Sequence, residues 1–228
     1  MLQKIVYDYA GAKGIAYNFR KKRAEQVKSL ISRLRRGDAC IRILDIGGTE
    51  VYWLALDYDW LRENRVEITL LNVSVHATKI SRENEDIFVS VAGDGCALDY
   101  PDAEFDLCFS NSVIEHVGDF SRMCSFAQEV KRVARSYYCQ TPNFWFPIEP
   151  HFLFLGFQFL PEPVRVFLLR RFTLGHHVRE RDIRDAWLVV QSARLIDIRA
   201  FTALFDNARI DKERFLFLFT KSLIAVKE

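Results

Sequence analysis

Ile43-Leu44-Asp45-Ile46-Gly47-Gly48-Thr49 decides the fold of this chain. The apolar run over 41–46 is too short for a helix and stops at two glycines, the pattern of a buried strand entering a turn. Further runs of the same kind follow at 66–73, 87–91 and 105–109, with a fifth strand over 135–140. Helical stretches fit between them at 52–61, 76–83 and 120–133. Upstream, 19–36 sets Val27, Leu30, Ile31 and Leu34 at helical spacing and ends at Gly37-Asp38. Helices over 179–190 and 198–205 precede two closing strands, 209–218 and 222–226. Strands alternating with helices predict an α/β chain with a doubly wound, mostly parallel sheet.

The 228 residues fit a single domain, 1–228, with a helical lid over 1–36. The segment 143–178 interrupts the alternation with prolines and aromatics, and is expected to be a substrate-side insertion. Half the residues are hydrophobic, 27% are charged and the net charge is +2. That balance argues against a nucleic-acid partner and against a stable membrane partner. No window is apolar enough for a spanning helix, and the N-terminus lacks the pattern of a signal peptide. Cys40, Cys96, Cys108, Cys124 and Cys139 are scattered and odd in number. Neither a disulfide framework nor a metal site is expected from them, and a reducing cytoplasm fits. The basic run Arg20-Lys21-Lys22-Arg23 reads as a solvated helix face. Most of the 19 Phe residues are assigned to the core.

In a doubly wound sheet the ligand sits beyond the carboxyl ends of the strands. Here those ends are the Gly47 loop, Asn72-Val73, Asp94-Gly95 and Ser110-Asn111. Glycine lets the first loop's backbone approach a ligand. Asn72 is suited to a ribose hydroxyl and Asp94 to an adenine amino group. A dinucleotide would need G-x-G-x-x-G, but Thr49 and Tyr52 occupy two of those glycine positions. No Walker lysine follows either. An adenosyl ligand without phosphates needs no such cradle.

Four segments together carry a family resemblance. They are Ile43-Leu44-Asp45-Ile46-Gly47-Gly48, then Leu70-Leu71-Asn72-Val73, then Gly93-Asp94-Gly95-Cys96-Ala97-Leu98, and finally Phe105 through Val117 with its FD…S…EH texture. In that order the chain resembles the class I S-adenosylmethionine-dependent methyltransferases, in particular their type 11 small-molecule group. The resemblance covers about 40–140 and the closing strands. It implies S-adenosylmethionine as cofactor. It places Asp45, Gly47 and Gly48 at the methionine end with Thr49 beside them. Asn72 and Val73 would lie at the ribose, Asp94 and Gly95 at the adenine, and Ser110 and Asn111 along the methionine portion. Thr49 and Val51 stand where the family usually has later glycines, and Asn72 where it has an acid. Those departures keep a second reading open, a catalytically silent, partner-binding relative.

The acceptor side is sought in the insertion. Methyl transfer from a sulfonium needs alignment, plus a base when the nucleophile is a hydroxyl. His151 is the candidate base and Glu149 its orienting carboxylate; the competing reading is that His151 only pins the Pro-rich loop. Phe144, Trp145, Phe146 and Phe152 point to an apolar or ring-bearing small acceptor, with O-methylation favoured, and Tyr17 to closure over the site. Glu115-His116 starts or flanks a helix, with His116 either structural or cofactor-facing, and His176-His177 read as structural or surface residues.

Overall fold

The computed structural model describes residues 15–74 and 80–228, with side chains from 18 onward. Seven strands form one sheet: β1 (Ile41–Ile46), β2 (Val66–Asn72), β3 (Phe88–Ala92), β4 (Phe105–Asn111), β5 (Ala134–Pro142), β8 (Arg209–Phe215) and β9 (Phe219–Lys227). Their order is β3-β2-β1-β4-β5-β9-β8. The first five are parallel, and β9 runs antiparallel between β5 and β8. Strand order reverses between β1 and β4, so their carboxyl ends open a crevice. This is a doubly wound, Rossmann-like sheet with an antiparallel closing strand, as the alternation in the sequence predicts.

Pleating distributes successive side chains to opposite faces. Ile43 with Leu107, Phe109, Tyr138 and Ile224 packs under helix α1 (Ile15–Leu34), whose Ala24, Val27, Leu30 and Ile31 are buried. Leu44 and Ile46 with Cys108, Tyr137, Cys139 and Leu223 pack under α4 (Phe120–Val133) and α7 (Ile198–Leu204). The bounds of α4 match the sequence reading; Asp119 caps it by accepting from the Arg122 N–H at 2.9 Å.

The helix expected over 52–61 starts earlier and is broken. It consists of α2 (Glu50–Trp53), a 3-10 turn (Leu54–Leu56) and α3 (Tyr58–Glu63). Asp57 causes the break. Its φ of 71° cannot continue a right-handed helix, and its side chain instead caps α3 through the Asp59 N–H. Of the helix expected over 76–83, residues 75–79 lie outside the described ones, and the rest holds a 3-10 turn, Arg82–Asn84.

The insertion has structure of its own. Its two-residue strands β6 (Ile148–Glu149) and β7 (Phe154–Leu155) form a hairpin, followed by α5 (Glu162–Arg171). A separate core holds Phe152, Phe157, Val166, Leu169 and Leu174 against Ala186 and Val190 of α6 (Ile183–Gln191). Burying a side chain such as Phe157 contributes about 1.5–3 kcal/mol, enough to fix the segment's shape. Among the described residues, no helix is long and apolar enough to cross a membrane.

Candidate active site

The end of β1 is built around one buried carboxylate. Asp45 is 1% exposed, and its Oδ2 accepts from the Trp53 indole N–H at 2.7 Å. Its Oδ1 has no hydrogen-bond partner. Burial pushes the carboxyl up to about 7, against the pull of the Trp53 bond. Gly48 passes so close that a Cβ there would overlap the Asp45 carboxylate. Gly47 has φ of +76°, and a Cβ on it would lie 2.5 Å from Val113. Both glycines are therefore required by sterics, and Gly47 N–H ties the loop to β2 through the Leu71 carbonyl at 2.7 Å.

The other predicted cofactor residues gather around this loop with unequal freedom. Asn72 donates from Nδ2 to the Gly48 carbonyl at 2.9 Å, while Val73 and Thr49 are exposed beside it. Ser110 is buried with an unpartnered Oγ. Gly95 is pressed against Ile46 and Phe126, with room for no side chain. Asp94 is held by Arg122, whose Nη2 lies 2.9 and 2.8 Å from its two carboxylate oxygens, and also accepts from the Cys96 N–H. The Arg122 guanidinium keeps the Asp94 carboxyl below its usual range. Asn111 accepts from Arg23 at 2.8 Å.

Arg23 departs from the solvated-face reading. Lys21 and Lys22 are exposed, but Arg23 is buried and also donates to Gln140 at 3.0 Å. Its Nε lies 3.4 Å from Glu213, which a second cation, Lys221, approaches to 3.8 Å. Burial pulls the Lys221 amine down to about 8. A basic run shows charge but not which member faces inward, so only the fold singles out Arg23.

On the acceptor side, Glu149 and His151 meet as the sequence reading anticipates. Glu149 is buried, and its Oε1 accepts from His151 Nδ1 at 2.7 Å. Its Oε2 accepts the backbone N–H groups of His151 and Phe152, both at 2.7 Å. His151 Nε2 faces His116 Nε2 at 3.2 Å, and the rings stand edge to face. Burial alone would lower the His151 pKa, but the Glu149 bond and the charges of Glu149 and Glu115 raise it. Glu115 is 1% exposed; its Oε2 accepts from Thr141 Oγ1 and its Oε1 has no partner. Burial raises its carboxyl, with His116 the main opposing charge.

The predicted acceptor aromatics separate into two groups. Phe144 and Phe152, with Glu149 and Phe157, line a cavity of about 380 Å³ between the insertion and α6. Phe152 is also stacked on Phe157 and His177, so it serves the insertion's core as well. Trp145 is 61% exposed against Phe159, and Phe146 packs on Phe215. The Tyr17 side chain lies outside the described residues. Trp53 and Arg122 are site residues the sequence reading passes over, and Glu115 and His116 enter it only within the fourth motif. The adjacency of Glu115 and His116 is visible in the sequence, but their meeting with His151 is not.

A family model described as "Methyltransferase domain" matches residues 44–137. No curated protein matches the chain significantly. Among solved structures, the chain is similar to the CurJ carbon methyltransferase, with a TM-score of 0.57 and 8% identity over 99% of this chain and 56% of that one. The CMeT domain of the citrinin polyketide synthase gives 0.57 and 9% over 91% and 51%. A SAM-dependent methyltransferase from Methanosarcina mazei gives 0.50 and 13% over 86% and 94%. The chain thus spans about half the length of several structures that it matches. At these identities the likeness concerns the fold.

Proposed function

We propose that the chain is a class I S-adenosylmethionine-dependent methyltransferase, a reading supported by the methyltransferase-domain match over residues 44–137 and by the fold, and that it methylates an oxygen of a small, apolar or ring-bearing acceptor. One observation carries the acceptor reading: buried Glu149, hydrogen-bonded to the half-buried His151, lines a 380 Å³ cavity together with Phe144, Phe152 and Phe157. A cavity that combines aromatic walls with polar side chains such as Glu149, Gln158 and Arg165 suits such a ligand. Glu149 anchors Nδ1–H of His151, and Nε2, which faces His116 Nε2 at 3.2 Å, is the atom that makes an acceptor hydroxyl easier to ionise.

The residues at the strand ends fit S-adenosylmethionine. Asp45, with one buried oxygen unpartnered, is suited to the cationic methionine end, reached across the bare backbone of Gly47, Gly48 and Thr49. Asn72 and Val73 flank the ribose, Asp94 and Gly95 the adenine, and Ser110 and Asn111 the methionine chain. When bound, the cofactor supplies an electrophilic methyl group; the protein's part is to align it. The helix carrying Arg23 closes the edge of the site, and the segment 143–178 supplies the acceptor side. Five unpaired cysteines suit a reducing, cytoplasmic setting.

A second reading is a silent methyltransferase relative that binds a partner. Asp94 and Asn111 favour it, because both are already engaged by arginines of this chain. Transfer of a labelled methyl group to a panel of hydroxylated aromatic acceptors separates the two. Turnover by the wild-type chain, lost in His151→Ala, supports the enzyme. Cofactor binding without transfer to any acceptor supports the silent relative.

A further inference from the structure

The two facing histidines have a tautomer problem. His116 Nδ1 lies 2.8 Å from the Ser192 carbonyl, which can only accept, so Nδ1 carries the proton. His151 Nδ1 lies 2.7 Å from the Glu149 carboxylate, which already accepts two backbone N–H groups, so that Nδ1 also donates. Each neutral ring then presents a bare lone pair at Nε2, and the two lone pairs face each other across 3.2 Å. Two acceptors at that distance repel unless a proton or a metal ion lies between them.

A third donor points to the same place. One ligand atom each from Glu115, His116 and His151 lies within 4.8 Å of the others. Glu115 is 1% exposed with Oε1 unpartnered, an expensive arrangement for a carboxylate. The spacing also suits a metal: two nitrogens bound at about 2.0–2.1 Å in a tetrahedral array stand about 3.3 Å apart. Both imidazoles have the outer hydrogen bond that metal-bound histidines usually make, one to a carboxylate and one to a backbone carbonyl.

We propose that Glu115, His116 and His151 form a binding site for a divalent transition-metal ion of the zinc class, with Glu149 and the Ser192 carbonyl fixing the two imidazoles. Two imidazoles and one carboxylate are the donor set such ions prefer over magnesium or calcium. His116 is exposed, so the ion has a way in. Three protein ligands leave a fourth position open. The ion also ties the insertion, through His151, to the turn after β4. The inference stands on ligand geometry and goes beyond the methyl-transfer reading. It bears on that reading at one point: a hydroxyl in the open position is acidified by the ion, with His151 as ligand.

The test uses the full chain stripped with chelator and titrated with cobalt(II), read by its ligand-field absorption and by equilibrium dialysis. One equivalent is expected to bind at micromolar concentration and to be displaced by zinc. His116→Ala, at an exposed position, and Glu115→Gln are expected to weaken binding at least tenfold. Glu149→Gln, which weakens the outer hydrogen bond without removing a ligand, should weaken it about ten- to hundredfold. No uptake by the wild-type chain at 100-fold higher cobalt overturns the proposal. So does uptake that His116→Ala leaves unchanged. S-adenosylhomocysteine binding, measured on the same samples, reports separately on the methyltransferase reading.

Discussion

The two halves of the site are built differently. The proposed cofactor half is made from backbone and from residues close in sequence: Asp45, Gly47, Gly48 and Trp53 lie within nine residues on β1, the turn after it and α2. The acceptor half draws Glu115 and His116 from the turn after β4 and Glu149 and His151 from the insertion hairpin, with His116 fixed through Ser192 beyond α6. A local turn is dictated by sterics and is hard to alter without damage. A tertiary cluster depends on how two packed units meet, and single side chains in it can be removed with the fold left standing.

The largest expected effect lies on the acceptor side. His151→Ala is predicted to lower kcat about 10²- to 10⁴-fold, the range for losing a group that handles the acceptor's proton. S-adenosylhomocysteine affinity should stay within twofold, which calorimetry checks. An equal loss of cofactor binding would erase the division between the halves.

Gly48→Ala is the counterpart on the cofactor side. Its methyl group collides with Asp45, so stability should fall by about 1–3 kcal/mol in a urea melt. Cofactor binding should fall with it. A variant that melts and binds like wild type would show that the loop is looser than its packing implies.

Asp45→Asn sharpens the electrostatic side of the comparison. The folded carboxyl titrates near 7, well above an unfolded aspartate at about 3.9. Between those values the folded state holds a proton that the unfolded chain has released. Asp45 therefore costs nothing below about pH 4, and its burden grows as pH rises to about 7, reaching about 4 kcal/mol. The amide can still accept from Trp53 and has no charge to bury. The variant is expected to be more stable than wild type above pH 7, with a flatter pH dependence, yet weaker in binding S-adenosylhomocysteine. Thermal melts from pH 5 to 8 check the first point and calorimetry the second.

The smallest effect is expected at Trp145, which is 61% exposed. Trp145→Ala should change stability by no more than about 0.5 kcal/mol. Any effect it has should appear as a raised KM for bulky acceptors.

The sequence displays the parts that are local. Five parallel strands can be read from apolar runs, and the glycines after β1 from their place at a strand end. The broken helix after β1 was hidden because its break rests on the backbone of Asp57, a residue that ordinarily signals nothing more than a cap. Arg23 was hidden in a basic run whose neighbours Lys21 and Lys22 do face solvent. The pairing of Glu149 with His151 could be anticipated, being two residues apart in a Pro-bounded loop. Its meeting with Glu115 and His116 could not, because 35 residues separate His116 from His151 and no ligand spacing spans them.

The proposed function requires that the Gly47-Gly48 turn and Asp45 hold an adenosyl cofactor. Titration calorimetry of S-adenosylhomocysteine into the wild-type chain tests it most directly, with Gly48→Ala alongside. One-to-one binding by wild type is expected, with its loss in the variant. No heat from wild type at millimolar ligand, or equal binding by both proteins, would contradict it.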